Sequence, residues 1–490
     1  MKFILHLSLM FTMTLMTVLV SMSSFADVCD RSPKVLETLE HYLKKSCQDI
    51  SDSDLATIKY MDLFDVKYLL PNDFAGLHAL LSLNMRNTPI SSLPENIFAG
   101  LKNLESLNIG ANQLKILPDE LIHPLKNLKL LRLDDNKLQT APDLSHFPAL
   151  QSIDIGSNPI SFLPVGYFDK NPELQVVEIY GTQISELPNE IFSQNKKLVS
   201  VLLFGNQQLQ YIPKSLFKGL PQLQLVWLSE NQLATLPEDT FSGCAQLKYI
   251  SLFENPIESL PAGLLKGLTA LEAIDIFTTK LTTLPEGFFD GLISLKSLHL
   301  EQNALTTLPD NIFDGLIRLK SLSIESNQLK KLPASFYSLR TIFKLEVDGQ
   351  TWAATKSDKI LPLVEVLIQL KDITELDRSF LQGLNNVEDL VLLGNERNKQ
   401  IQFIDRNIFS QMTPQVIELS GTLLESLPED LLRDQWDLEL LILSYNEFSQ
   451  LPEKFFDGLT LRKVDLRMNQ FSQTERDRIR SQLPHIEFLF

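Results

Sequence analysis

Three cysteines in 490 residues are too few to build a disulfide scaffold, and no Cys-x-x-Cys pair stands ready to hold zinc or exchange electrons. Gly-x-x-x-x-Gly-Lys, Gly-x-Gly-x-x-Gly, Gly-x-Ser-x-Gly and His-Glu-x-x-His are all absent. Their absence removes the usual signatures of nucleotide binding, of a hydrolase nucleophile and of a zinc peptidase. No cofactor is therefore expected. Beyond the N-terminal segment the histidines are His41, His78, His123, His146, His299 and His485, scattered across distant stretches. They are not expected to converge on a metal. Cations are also short, with 44 Lys and Arg against 61 Asp and Glu, a net charge of −17. That balance repels phosphate backbones and argues against a nucleic-acid partner, while permitting a basic one. After the N-terminus the best apolar run is Leu361 to Leu370, interrupted by Glu365. It falls well short of the roughly 20 residues needed to cross a bilayer.

The one long apolar run is at the start. Lys2 precedes a largely apolar stretch from Phe3 to Val20, followed by the small and polar Ser21 to Ala26. Ser24 and Ala26 fit the small-residue rule before a cleavage site, so residues 1–26 read as a signal peptide and the mature chain as starting at Asp27. The alternative is an uncleaved anchor, against which His6 and several hydroxyl residues dilute the run. The product is expected to be exported: secreted, periplasmic or at the cell surface. In such a setting Cys29 and Cys47, flanking a helix-like stretch, are expected to form a disulfide.

From Leu80 onward the chain repeats with a period near 24 residues. One unit reads Leu295-x-x-Leu298-x-Leu300-x-x-Asn303-x-Leu305-x-x-Leu308-Pro309-x-x-Ile312-Phe313-x-Gly315-Leu316. Its ninth position recurs at Thr88, Asn112, Asn136, Asn158, Thr182, Asn206, Asn231, Asn255, Thr279, Asn303, Asn327, Gln350, Lys371, Asn395, Thr422, Asn446 and Asn469, making about 17 or 18 units. Alternating Leu298-x-Leu300 turns both leucines to one side of a short strand. A single unit cannot bury them, but stacked units join them into one core beneath a parallel sheet. The ninth-position amide has two donors and two acceptor sites, enough to satisfy backbone groups where the chain leaves the strand. Threonine supplies only part of this, so Thr88, Thr182, Thr279 and Thr422 should be weaker rungs. Proline in Leu308-Pro309 ends regular pairing, and Phe313 and Leu316 fill the outer core. Cys244 stands at the Leu316-equivalent place and reads as a buried apolar thiol.

This pattern resembles the leucine-rich-repeat family, in its 24-residue extracellular type. The resemblance covers nearly the whole mature chain and implies an α/β horseshoe solenoid, with short parallel strands on the concave face and short helical turns or loops on the convex face. Cys29-Asp30-Arg31, Cys47 and Leu55-Ala56-x-Ile58 are similar to the N-terminal cap of exported bacterial members. The cysteine-rich C-terminal cap of animal members is missing, since no cysteine follows Cys244. The expected organisation is a helical cap over 27–57, the solenoid over 58–473 and a C-terminal cap over 474–490. Ser32 to Ser46 reads as an amphipathic helix with Ser32 as N-cap, Pro33 in the first turn and Val35, Leu36, Leu39 and Leu43 apolar. The final cap combines a charged helix-like stretch with Ile486-x-Phe488-x-Phe490. Regularity fails at Ala141-Pro142, at Asn206-Gln207-Gln208-Leu209, and where Asp377 and Asp405 replace the usual proline. Residues 338–372 form an irregular seam, read either as a change of curvature or as drift in a tolerant loop.

Outward strand positions carry the recognition information. After the second inward residue stand Tyr180, Phe204, Phe253 and Phe277, while the remaining unit of this run has Ser229 there and Trp227 two positions earlier. Contiguous exposed rings mark binding sites, the alternative being a stack that only stiffens the face. Acids surround them: Asp154, Glu178, Glu230, Glu254, Asp275, Glu301, Glu325, Glu346 and Asp348. Cations on this face are few, chiefly Arg86, Arg132, Lys344, Lys463 and Arg467. A second, weaker apolar set comprises Leu367, Val391, Leu393 and Ile442. The proposed ligand-binding residues are thus Tyr180, Phe204, Trp227, Phe253, Phe277, Glu178, Glu230, Glu254, Asp275 and Glu301, with no catalytic or metal-binding residue. The reading is a non-enzymatic recognition or adhesion scaffold for a protein or peptide, plausibly basic. The alternatives are a self-associating envelope protein and an enzyme with an unrecognised site. Intact-mass measurement with and without thiol alkylation should show a chain starting at Asp27 with a single alkylated thiol. Retained leader mass or three alkylated thiols under non-reducing conditions would overturn this.

Overall fold

The computed structural model describes residues 27–355, 361–394 and 401–490. The expected leader at 1–26, the ninth-position Asn395 and residues 396–400 lie outside the described residues. The chain falls into two compact units, one ending at Thr182 and the other beginning at Gln183. Each is a coil of short parallel strands, and together they make about 17 turns.

The first unit opens with the cap. Cys29 and Cys47 are disulfide-bonded, and a helix spans Pro33–Leu43 with Val35 and Leu39 fully buried. It ends three residues earlier than the sequence pattern implies, because Lys44 takes a left-handed conformation (φ 55°). Ser32 stands at the N-cap position but its hydroxyl makes no cap bond. Instead, buried Asp73 accepts the Ser32 N–H at 2.7 Å and the Leu70 N–H at 2.7 Å. Arg31 donates to the carbonyls of Asp73 (3.0 Å) and Ala75 (2.5 Å), which latches the cap onto the first turn. The strands Tyr60–Asp62, Ser82–Asn84, Ser106–Asn108, Leu130–Arg132, Ser152–Asp154 and Val176–Glu178 follow in order. Their central residues Met61, Leu83, Leu107, Leu131, Ile153 and Val177 pair in parallel register and are buried.

In the second unit the same register runs from Val201 through Leu298 to Phe488. Most strands have only three residues because the chain turns out of each one at the ninth position. There Asn303 Nδ2 donates to the carbonyls of Ile276 (2.7 Å) and Leu300 (3.0 Å), while Oδ1 accepts the Thr279 N–H at 3.0 Å. The residue before the asparagine is left-handed even without glycine, as at Glu230, Glu254, Gln302 and Ser326, with φ between 54° and 57°. Where threonine replaces asparagine, one hydroxyl donates to the next turn's amide oxygen: Thr88 to Asn112 at 2.8 Å and Thr422 to Asn446 at 2.7 Å. Behind the strands the chain runs mostly through turns. Phe192, Phe217 and Phe241 stack there, with centroids 6.3 and 5.8 Å apart. Cys244 is fully buried, and burial pushes its thiol up to about 11, which leaves it inert.

The seam departs from the repeat in a definite way. Gln350 and Lys371 are exposed and are not rungs, which corrects the expectation. Asp348 takes over the role, its carboxylate accepting the N–H groups of Ser326 (2.8 Å) and Asn327 (3.0 Å). The chain then enters a helix, Gly349–Thr355. Trp352, 1% exposed, anchors that helix by donating to the Phe380 carbonyl at 2.7 Å. Further on, Asp377 and Asp405 in the proline places permit a second, two-stranded sheet, Glu375–Leu376 with Phe403–Ile404. The Asp405 N–H donates to the Leu376 carbonyl at 2.9 Å, a bond proline could not make. The C-terminal cap is a helix, Gln473–Gln482, and a strand, Glu487–Leu489, paired to Lys463–Asp465.

Asn303→Ala leaves the Thr279 N–H and two carbonyls without their partner, and should cost about 1–3 kcal/mol of stability. Denaturant unfolding checks this, and an unchanged midpoint would overturn the role given to the amide.

Candidate functional site

The alternation sets every proposed ring next to a buried aliphatic. Ile179, Leu203, Val226, Leu252 and Ile276 are each at most 1% exposed, so the neighbouring rings face away from the core. The rings are nevertheless half-buried rather than fully exposed, because they lean on one another. In the second unit Phe253 and Phe277 stack with centroids 4.5 Å apart and planes 8° apart. Phe204 and Trp227 meet at 4.8 Å, tilted by 33°. Trp227 lies opposite Leu202 and Ser251 in the sheet, not opposite Phe204. It reaches Phe204 diagonally, with its indole N–H bonded to the hydroxyl of buried Ser229. The small serine in the ring position thus serves the indole beside it.

Acids beside these rings are held in a crowded face. Asp275, 8% exposed, accepts from the Tyr249 hydroxyl and faces His299 Nδ1 at 3.1 Å. His299 is raised above its ordinary value, first by its hydrogen bond to Asp275. Burial raises Glu301, and it pushes Glu325 up to about 7, helped by Glu346, Glu301 and Asp348 nearby. Glu230 and Glu254 belong elsewhere: they occupy the left-handed turns that leave the strands, at the rim of the face. The weaker apolar set is broken by Glu418, which pairs between Val391 and Ile442.

Tyr180 and Glu178 belong to the first unit. The Tyr180 ring covers Gly156, where a Cβ would lie 2.5 Å from it. Burial, with Asp134 and Glu178 adding to it, pushes Asp154 up to about 7. Burial also raises Glu178. Asp134 is paired instead, at 2.6 Å from Arg86 Nη1.

The BspA-type leucine-rich-repeat region matches residues 144–233 and 210–342 in six copies, and a second leucine-rich-repeat description matches 78–138. Together they span more than half of the chain. The chain belongs to the leucine-rich-repeat family. No curated protein matches its sequence. Among solved structures, a leucine-rich-repeat protein of Leptospira interrogans is 25% identical, with a TM-score of 0.60 over 90% of this chain and 97% of that one. The TLR13–ssRNA13 complex shares the fold at 20% identity and a TM-score of 0.70, over 90% of this chain and 62% of the receptor chain. The Drosophila Toll–Spatzle complex matches at 26% identity and 0.59, over 82% of this chain and 52% of that one. The repeat protein described here thus spans only part of either receptor chain.

The strand face holds further groups the sequence pattern did not flag. Ser297 Oγ lies 2.9 Å from His299 Nε2, so that serine, imidazole and Asp275 follow one another as in a hydrolytic relay. The strand N–H groups beside them are used in the ladder and are not free for an oxyanion, Ser297 donating to the Glu272 carbonyl and Leu300 to that of Ser323. A groove of about 770 Å³ lies beside Trp436, Glu388, Glu439 and Arg462, at the entry to the strands of the second unit. Trp436 is 59% exposed there. Both features depend on residues one turn apart, a relation invisible along the chain. The expectation that the histidines stay apart fails for His123 and His146, whose rings stack across one turn.

Glu325 and Asp154 titrate higher folded than unfolded, so folding takes up protons between about pH 4.5 and 7. The stability they contribute is present below that window and is lost as pH rises through 7; His299, also raised, acts in the same direction. Melting temperature should therefore fall from pH 5 to pH 8, and Glu325→Gln should flatten the fall. A melting temperature that climbs over this range would refute the burial of these acids.

Proposed function

We propose that this leucine-rich-repeat scaffold is an exported, non-enzymatic module that recognises a basic protein or peptide through its strand face. The observation that carries the reading is the join of paired rings and crowded acids in the second unit. Phe253 and Phe277 present a rigid apolar surface at little further entropic cost. Further along the same face Glu301 and Glu325 are raised by burial and by neighbouring acids, so they hold protons that a cationic ligand would displace, while Asp275 is paired with His299. An arginine- or lysine-bearing segment would relieve that crowding and lay its aliphatic stem on the rings. The Toll relative is a complex with Spatzle, which supports a protein ligand on this fold. The acidic face disfavours a single-stranded RNA ligand of the kind in the TLR13 complex. The leader pattern and the Cys29–Cys47 disulfide support an oxidising compartment outside the cytosol.

The test uses arrays of basic and acidic peptides, followed by solution affinities for the best binder. Phe253→Ala and Phe277→Ala should each weaken binding by about 2 kcal/mol, and unstacking the pair should cost roughly 1 kcal/mol of stability. Affinity should rise from pH 6 to pH 8, as the acids ionise, and fall with added salt. Preference for acidic peptides, or lost stability with affinity unchanged, would overturn the site. Labelling of Ser297 by a fluorophosphonate probe would favour hydrolysis instead.

A further inference from the structure

Stacked turns bring side chains together wherever successive repeats carry them at one position. On the back of the first unit this happens to two imidazoles and a carboxylate. His123 follows the short helix Asp119–Ile122, and Asp143-x-x-His146 comes one turn later. The two rings stack with centroids 3.8 Å apart. Asp143 Oδ2 lies 3.4 Å from His123 Nε2 and 3.5 Å from His146 Nδ1. All three ligand atoms fall within 4.8 Å of one another.

These separations are long for hydrogen bonds, which favour about 2.7–3.2 Å. They fit a shared ion well. Zinc bonds of about 2.0–2.1 Å in a tetrahedron set neighbouring ligand atoms roughly 3.3–3.4 Å apart. His123 Nε2 is shut off from solvent and makes no hydrogen bond among the described residues. The carboxylate between the rings is already oriented: Ser145 donates to Asp143 through its N–H (2.8 Å) and its hydroxyl (2.9 Å). The Asp143 N–H is itself held by Asp119 at 3.0 Å. The carboxylate is in place, while binding would take His146 Nδ1 from its 3.1 Å contact with Ser145 Oγ and open the stacked rings.

We propose that His123, Asp143 and His146 form a site for a divalent transition ion of the zinc type. Two nitrogens and one oxygen select zinc, nickel or copper over calcium and magnesium, which prefer all-oxygen shells. Water completes the shell, since His146 is exposed. The ion clips two successive turns together from the side opposite the sheet.

The test uses the protein without a histidine tag, stripped with chelator and titrated calorimetrically with zinc chloride. About one equivalent should bind saturably at pH 7.5, with the melting temperature rising by a few degrees. Binding should weaken at pH 5.5, where imidazoles take up protons. Cobalt(II) at the site should give the intense visible absorption of tetrahedral coordination. His146→Ala and Asp143→Asn should each weaken binding at least ten-fold. Far-ultraviolet circular dichroism of the metal-free variants confirms that they fold, and exposed His146 is the safer change if Asp143→Asn does not. No saturable binding, or equal binding in wild type and variants, would overturn the site, the second result placing the ion on other surface carboxylates.

Discussion

Most turns of this protein leave the strand through a left-handed residue followed by a buried amide, and the rest of the architecture depends on that bend. For a residue with a side chain the left-handed conformation costs about 1–2 kcal/mol. It persists at Glu254, Gln302 and Ser326 because the asparagine that follows binds at least three backbone groups from two turns. The asparagine is thus both a clamp within its own turn and a link to the one before. A strand cut to three residues at this bend exposes only a few outward positions per turn. That limits what the face can present and makes each position count.

Repetition then acts as a device for proximity. Parallel strands lie about 4.8 Å apart, so a residue type that recurs at one position meets its own kind. Rings meet as the stacked Phe253 and Phe277. Acids meet as Glu301, Glu325 and Glu346, and burial, helped by the neighbouring charges, holds the carboxyls of Glu301 and Glu325 above the ordinary carboxylate range. On the back, the same geometry joins His123 to His146. Binding surface, acid crowding and candidate ion site all follow from one repeat distance.

The seam shows what happens when the amide is missing. Asp348 accepts backbone N–H groups but has none to donate, so it can hold only one side of the bend. A helix follows, and Trp352 fills the space behind it. Beyond it a second, two-stranded sheet forms, and the N–H of Asp405, standing in a proline place, donates to the Leu376 carbonyl in it. These turns keep the parallel register while replacing the device that elsewhere enforces it.

Periodic leucines, ninth-position asparagines and the inward–outward alternation are local patterns with one cheap burial solution, so the chain alone determines the fold, its register and the outward placement of Tyr180, Phe204, Trp227, Phe253 and Phe277. The capping helix at Pro33, the disulfide and the buried thiol of Cys244 are legible for the same reason. Tertiary structure alone decided the contacts between turns: the pairing of Phe253 with Phe277, the Tyr249–Asp275–His299–Ser297 chain, the Asp348 substitute for Gln350, and the meeting of His123 with Asp143 and His146. Such contacts join residues some 20 to 26 positions apart. Each depends on rotamers and on small residues such as Ser229 and Gly156 making room, and no local propensity encodes that.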